Sequence, residues 1–385
     1  MNNLKAQFLL DPEVAFLNHG SFGATPRPVL ETYQRWQRAL ETEPVRFLAH
    51  DLPGHLSHAR RRLGDYLQVS GDDLVYVPNS TFGVNVVARS LDLRPGDEVL
   101  TSDHEYGACM KAWQFYSRRR GFEIVTQNIP LSAPAPDAVV DQFWAGVTER
   151  TRVIFLSHIT SPTARRLPVA AICARARAAG ILTLVDGAHA PGQIPLDLVA
   201  TGADFYTGNA HKWLCSPKGA GFLYARPEVQ HLVAPLIVGW GWEADPAFTT
   251  GSTFRDNLEW LGTNDLSAYL SVPAAIDFQA EHNWPAVRRR CHAMLPDALA
   301  AIDALTGLAT VYPAGSAAYH QMAVARLPAG IDPLHLHTTL YNQFRIEIPC
   351  YNWAGQNLIR LSIQGYNDAQ DIARLIAALQ ALLPG

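Results

Sequence analysis

A chain of 385 residues with 48% apolar and 17% charged side chains is long enough for two domains and a large buried core, and its composition excludes a disordered polypeptide. The formal net charge of -4 removes any electrostatic case for nucleic acid or an anionic membrane surface as a partner. Five scattered cysteines without a C-x-x-C pair, no long apolar run and no signal-like N-terminus point to a cytoplasmic protein with neither disulfide framework nor membrane span.

From about residue 55 to 225, short apolar runs alternate with helical patterns. LVYVP predicts a strand, VNVVARSL a helix and EVLTS the next strand. FEIVTQ, RVIFLSH, ILTLVD, ADFYTG and GFLYA continue the strand series. DAVVDQFWAGVTE and PVAAICARARAAG read as amphipathic helices between them, the second closed by Gly180. This alternation predicts an α/β fold: a mostly parallel sheet covered by helices on both faces. Farther on, AAIDFQAEHN and HAMLPDALAAIDAL read as helices, MAVARLP, RIEIP and LIRLSI as strands, and DAQDIARLIAALQALL as a terminal helix. The expected division is a large domain over 16–264 and a smaller α+β domain over 265–385, joined by the N-terminal segment 1–15.

Ligands of open α/β sheets lie beyond the carboxyl ends of the strands. Five predicted strand ends carry polar clusters: Asn79-Ser80-Thr81, then Asp103-His104-Glu105-Tyr106, then Ser157, His158 and Thr160, then Asp186 and His189, then Thr207, Asn209, His211 and Lys212. Such clusters converge on one crevice. Ser80 and Thr81 open a helix whose N-terminus suits a phosphate, although an ordinary N-cap reads the same way. Asp186 ends an apolar strand, where a carboxylate is costly unless a cation faces it; a structural salt bridge is the alternative. Lys212 sits in a partly apolar setting that favours the neutral amine, whereas Lys218 lies in a turn. A phosphate cradle, an acid for a ring nitrogen and an amine for a Schiff base are what pyridoxal 5′-phosphate requires. His104 and Tyr106 are the candidates to lie over its ring or to move protons there, with Tyr106 preferred. A metal site is not expected, because no tight ligand spacing occurs.

FLNHGSFGATP, VPNSTFGVN, DHEYGA, SHITSPTA, VDGAHAPG, GNAHKWLCSPKGAGFLY, LGTND and IRLSIQGYN resemble, in order, the blocks of the class V aminotransferase-like group of fold-type I pyridoxal-phosphate enzymes. The resemblance covers essentially the whole chain and is closest to the isopenicillin N epimerase-like branch. It implies that Lys212 forms the Schiff base, that Asp186 partners the ring nitrogen and that His189 lies near the ring hydroxyl. Thr81, Asn209 and His211 would hold the phosphate with help from Ser80. Thr263 would reach the phosphate of a neighbouring protomer, which implies a homodimer with active sites at the interface. Arg360 would bind the substrate α-carboxylate, and Asn18 and His19 would line the substrate entrance. Cys350 lacks the histidine-rich context of the related cysteine desulfurases and reads as packing. The implied reaction is epimerisation or racemisation at the α-carbon of an amino-acid-type substrate, with β-elimination of a carbon–sulfur bond or transamination as alternatives. Trp240 and Trp242, in GWGWEADPAFTTGSTF, either line a specificity pocket or simply pack.

Overall fold

A computed structural model describes residues 4–132, 135–245, 249–313 and 316–383. Pro246–Phe248 of the tryptophan-containing loop, and the outermost residues of both ends, lie outside them.

Among the described residues twelve strands form three sheets: β1 (Ala15–Phe16), β2 (Leu74–Val77), β3 (Glu98–Ser102), β4 (Glu123–Gln127), β5 (Thr151–Ser157), β6 (Leu182–Asp186), β7 (Phe205–Asn209), β8 (Gly221–Ala225), β9 (Met322–Leu327), β10 (Ile346–Glu347), β11 (Cys350–Trp353) and β12 (Gln356–Ser362). The large sheet has the order β2-β8-β7-β6-β5-β3-β4. Every pair in it is parallel except those made by β8, which runs against both β7 and β2. Apart from the edge strand β4, its strands are largely buried because both faces are covered. Leu74 and Tyr76 of β2 enter one core cluster while Val75 and Val77 enter the other, as the two-residue side-chain period requires. Ile154 and Leu156 alternate with Val153 and Phe155 in the same way along β5. β2, β3, β5, β6 and β7 run in one direction, so their carboxyl ends share one edge of the sheet.

The C-terminal part carries an antiparallel sheet of order β11-β12-β9, covered by helices that include Leu295–Thr306 and Ala369–Leu382. The last helix opens with a capping box between Asp368 and Asp371. RIEIP does not join this sheet: Ile346–Glu347 pairs instead, in parallel, with Ala15–Phe16. The N-terminal segment is thereby stitched along the small sheet, with the Ser362 N–H donating to the Leu17 carbonyl. The helical stretch over 292–305 is two helices, Trp284–Ala293 and Leu295–Thr306, because Pro296 has no N–H to continue the first. Helices Arg27–Thr42 and Leu52–Leu67 pack against Ser267–Leu270 and Val272–Glu281. Among the described residues no helix is long and apolar enough to cross a membrane.

Candidate active site

The helix after β2 runs over Ser80–Ser90, and Asn79 caps it by accepting the Phe82 N–H at 2.9 Å. The hydroxyls of Ser80 and Thr81 are therefore not needed as caps, and buried Ser80 Oγ has no hydrogen-bond partner. The Ser80 N–H donates to Asn209 Oδ1 at 2.8 Å, which fixes the start of this helix to the end of β7. The helix packs close because Gly83 has no side chain: a Cβ there would lie 2.2 Å from Thr207 Oγ1. His211 Nδ1 is bound to the Ala220 carbonyl at 3.0 Å, which leaves Nε2 for a ligand. A helix N-terminus, an unsatisfied hydroxyl and an imidazole edge make a cradle for an anion.

Asp186 ends β6 and is buried. Its Oδ1 accepts the Ala188 N–H at 2.9 Å, and its Oδ2 accepts the Cys109 thiol at 3.5 Å. Burial raises its pKa. Among the described residues it makes no ion pair, and the positive charge that acts on it is that of Lys212, which only partly offsets its burial. Three residues on, buried His189 accepts the Trp213 indole N–H through Nδ1 at 3.2 Å, and its Nε2 lies 3.3 Å from Lys212 Nζ. Burial, and then the Lys212 charge, hold the His189 ring neutral. Burial and the nearby Arg360 guanidinium bring Lys212 down to about 8, toward the free amine. Trp213 is buried, and its indole N–H orients His189. Lys218 is exposed in a turn.

Beyond β3, the sequence reading paired His104 with Tyr106, but the structure separates them. His104 is fully buried, with Nε2 on the Ile129 carbonyl and Nδ1 on Thr163 Oγ1, each at 2.6 Å, and its ring against Trp353. With both nitrogens engaged and burial lowering its pKa, His104 is placed as a fixed strut and not as a ring cover or proton donor, which corrects that expectation. Tyr106, at the start of helix Gly107–Arg120, is 46% exposed and free to meet a ligand. Between them Glu105 is buried, its two oxygens accepting Ser102 and Ser157 hydroxyls at 2.6 and 2.5 Å. Burial pushes it up to about 8. The strand-end rule that singled out Asp186 applied equally to Glu105, and the sequence reading did not use it.

Arg360, on β12, is buried and reaches back to the large sheet. Its Nη1 donates to the Ser161 carbonyl at 2.7 Å and its Nη2 to Ser21 Oγ at 3.0 Å, while Nε has no partner. Ser21, inside the GSFG motif, donates onward to Asn18 Oδ1 at 2.6 Å, and Asn18 Nδ2 donates to Glu347 Oε1 at 2.8 Å. Asn18 is thus one residue removed from the Arg360 fork. His19 is not at an entrance: it is fully buried behind Lys212, bonded to the Lys212 carbonyl at 3.0 Å and to Tyr366 Oη at 2.9 Å. Thr263 is exposed in the segment between helices Thr253–Glu259 and Ser267–Leu270. All five cysteines are free and buried, Cys350 included. Among the described residues no three histidine, cysteine or carboxylate groups are placed to hold a metal ion. Trp240 is 88% exposed.

The family model described as aminotransferase class-V matches residues 17–375. The chain is 38% identical to an isopenicillin N epimerase of Amycolatopsis lactamdurans, covering 99% of this chain and 98% of that protein. It is 28% identical to a probable chloroplastic L-cysteine desulfhydrase of Arabidopsis thaliana, over 97% of this chain and 84% of that protein. Its fold matches the crystal structure of a cysteine desulfurase of Escherichia coli with a TM-score of 0.83, at 22% sequence identity over 99% of this chain and 98% of that one. The orphaned Ser80 hydroxyl at a helix N-terminus, the buried acid that makes no ion pair and the amine near neutrality together fit a phosphorylated, pyridine-type aldehyde. The chain belongs to the class V aminotransferase family, and its cofactor is pyridoxal 5′-phosphate.

Proposed function

We propose that the protein is an epimerase or racemase that inverts the α-carbon of an amino acid or amino-acid-derived substrate. The observation that carries this reading is the Lys212–His189 pair, set between Asp186 and Arg360 at one edge of the sheet. Bound pyridoxal phosphate supplies an aldehyde for the substrate amine and an electron-withdrawing ring that acidifies the α-C–H bond. In this reading Ser80, Thr81, Asn209 and His211 hold the phosphate, and Asp186 faces the ring nitrogen, where its raised proton affinity suits a shared proton. Arg360 grips the carboxylate with a forked pair of donors. Lys212 Nζ, once released from the cofactor, takes the α-proton, and His189 Nε2 holds that amine in place. Tyr106, exposed at the start of its helix, would cover the ring, with its Oη the donor of a proton to the other face of the α-carbon. Thr263 serves the phosphate of a second copy of the chain, so the working form is a homodimer.

The higher identity to an epimerase than to a desulfhydrase supports inversion over elimination. Burial of every cysteine speaks against a persulfide-carrying desulfurase. A carbon–sulfur lyase is the second reading, favoured by the full-length similarity to a desulfhydrase. Incubating the purified enzyme with isopenicillin N, L-cysteine and a panel of other amino acids separates the readings. Inverted product without sulfide or keto acid supports the proposal; sulfide with keto acid from L-cysteine, and no inversion of any substrate, replaces it with the lyase.

A further inference from the structure

The turn after β5, Thr160–Arg165, contains a residue that pays a conformational cost: Ala164, fully buried, has φ +53°. A non-glycine residue is rarely held there unless its surroundings over-determine it. Here they do. The turn closes on itself through the Thr160 N–H to the Arg165 carbonyl at 2.8 Å. Three successive carbonyls are then taken by side chains of the C-terminal part: Ser161 by Arg360 at 2.7 Å, Pro162 by the Tyr351 hydroxyl at 2.7 Å, and Thr163 by the Tyr312 hydroxyl at 2.8 Å. From the other side, His104 of the large sheet fixes the Thr163 hydroxyl at 2.6 Å, and Thr163 in turn meets Thr160 Oγ1 at 2.6 Å.

The direction of these bonds follows from the donor count. His104 Nε2 must donate, since a carbonyl faces it, so Nδ1 of the neutral ring accepts from Thr163. Thr163 has then spent its one proton, and Thr160 donates to it. The chain of bonds has a single sense, from Thr160 to Ile129, and so fixes the direction in which both threonine hydroxyls point their protons.

We propose that Thr163 and Tyr351 are positioning residues for substrate recognition: by clamping this turn from both parts of the molecule they hold the Ser161 carbonyl, which sets the angle of the Arg360 fork and leaves its Nε toward the substrate carboxylate. This rests on the reading of Arg360 as the carboxylate-binding residue. The clamp acts only through Arg360, so its loss weakens ligands that bear a carboxylate and spares those that do not. The unpartnered, buried Nε is the feature that a carboxylate would satisfy.

The test is a spectroscopic titration of the holoenzyme with L-alanine and with ethylamine, a pair that differs in the carboxylate and lacks a β-leaving group. The readout is the ratio of their dissociation constants. Thr163→Val and Tyr351→Phe are expected to reduce the preference for L-alanine about fivefold or more, with cofactor content unchanged, while Thr163→Ser keeps it. Arg360→Ala is expected to abolish it. If Arg360→Ala abolishes the preference and neither Thr163→Val nor Tyr351→Phe changes it, the clamp is overturned and the role of Arg360 stands. If Arg360→Ala also leaves the preference intact, both fall together. Tyr351→Phe keeps the test decisive should the buried Thr163→Val variant fail to fold.

Discussion

Lys212 Nζ lies 3.3 Å from His189 Nε2, and the tautomer of that histidine is fixed from behind, because Trp213 Nε1–H donates to His189 Nδ1 at 3.2 Å. An imidazole that accepts at Nδ1 and is held neutral by burial carries its proton on Nε2. It therefore points a donor at the lysine, and only a deprotonated amine can accept it. The lowered pKa of Lys212, about 8, makes that amine available near neutrality.

The rate at which pyridoxal phosphate condenses with the apoprotein should rise with pH and level off above about 8, where Lys212 has lost its proton. Stopped-flow absorbance measures this directly. Borohydride reduction should then fix the cofactor on Lys212 and leave Lys218 unmodified. A plateau reached only near the ordinary lysine pKa, or label on Lys218, contradicts the assignment.

Glu105 gives a pH effect of the opposite sign from the usual carboxylate. Its folded pKa is raised to about 8, chiefly by burial, with the Asp186 charge adding to it and the Ser102 and Ser157 hydroxyls opposing it. The folded protein thus keeps a proton that the unfolded chain releases near 4.5, and stability contributed by this group is lost as pH rises through about 8. Glu105→Gln should flatten that decline, by on the order of 1–4 kcal/mol between pH 5 and 9. Urea unfolding of the apoprotein at the two pH values checks it; parallel slopes for variant and parent would refute it.

Gly23 has φ +72°, and a Cβ there would stand 2.1 Å from the His211 carbonyl oxygen and 2.9 Å from Lys212 Cα. Gly23→Ala should therefore displace the backbone that carries the lysine, lowering cofactor occupancy and costing about 1–3 kcal/mol of stability. Gly54→Ala, in a helix with nothing within 4 Å of the added methyl, is the control and should be neutral or slightly stabilising. Equal effects of the two changes would show that the close approach at Gly23 is not what matters.

The large sheet was legible because β2, β3 and β5 to β8 are short, largely buried runs, and buried Asp186 and neighbouring Lys212 lie beyond strand ends that share one edge. The pairing of Ile346–Glu347 with Ala15–Phe16 was not legible, since a local pattern carries no information about partners some 330 positions away. The same holds for His19, which is buried through bonds to Lys212 and Tyr366, and for His104, which is immobilised by Ile129 and Thr163. A histidine reads the same in sequence whether it faces a ligand or braces a turn. Helices Arg27–Thr42 and Leu52–Leu67 precede β2, where the strand-and-helix alternation begins, so that pattern carries no signal for them.

Arg360→Ala should raise KM for amino-acid substrates about a hundredfold, as expected for loss of a buried charge-assisted pair of hydrogen bonds, with bound cofactor retained. Steady-state kinetics together with the cofactor absorbance spectrum measures both. Loss of cofactor with an unchanged KM would assign the residue a different task.

The reaction itself is tested most directly by proton NMR and chiral analysis of a turned-over substrate in heavy water. Epimerisation predicts that the α-proton is replaced by deuterium while the opposite configuration accumulates, approaching a constant ratio from either starting isomer. Release of sulfide or a keto acid, with the remaining substrate keeping its original configuration, would contradict the account.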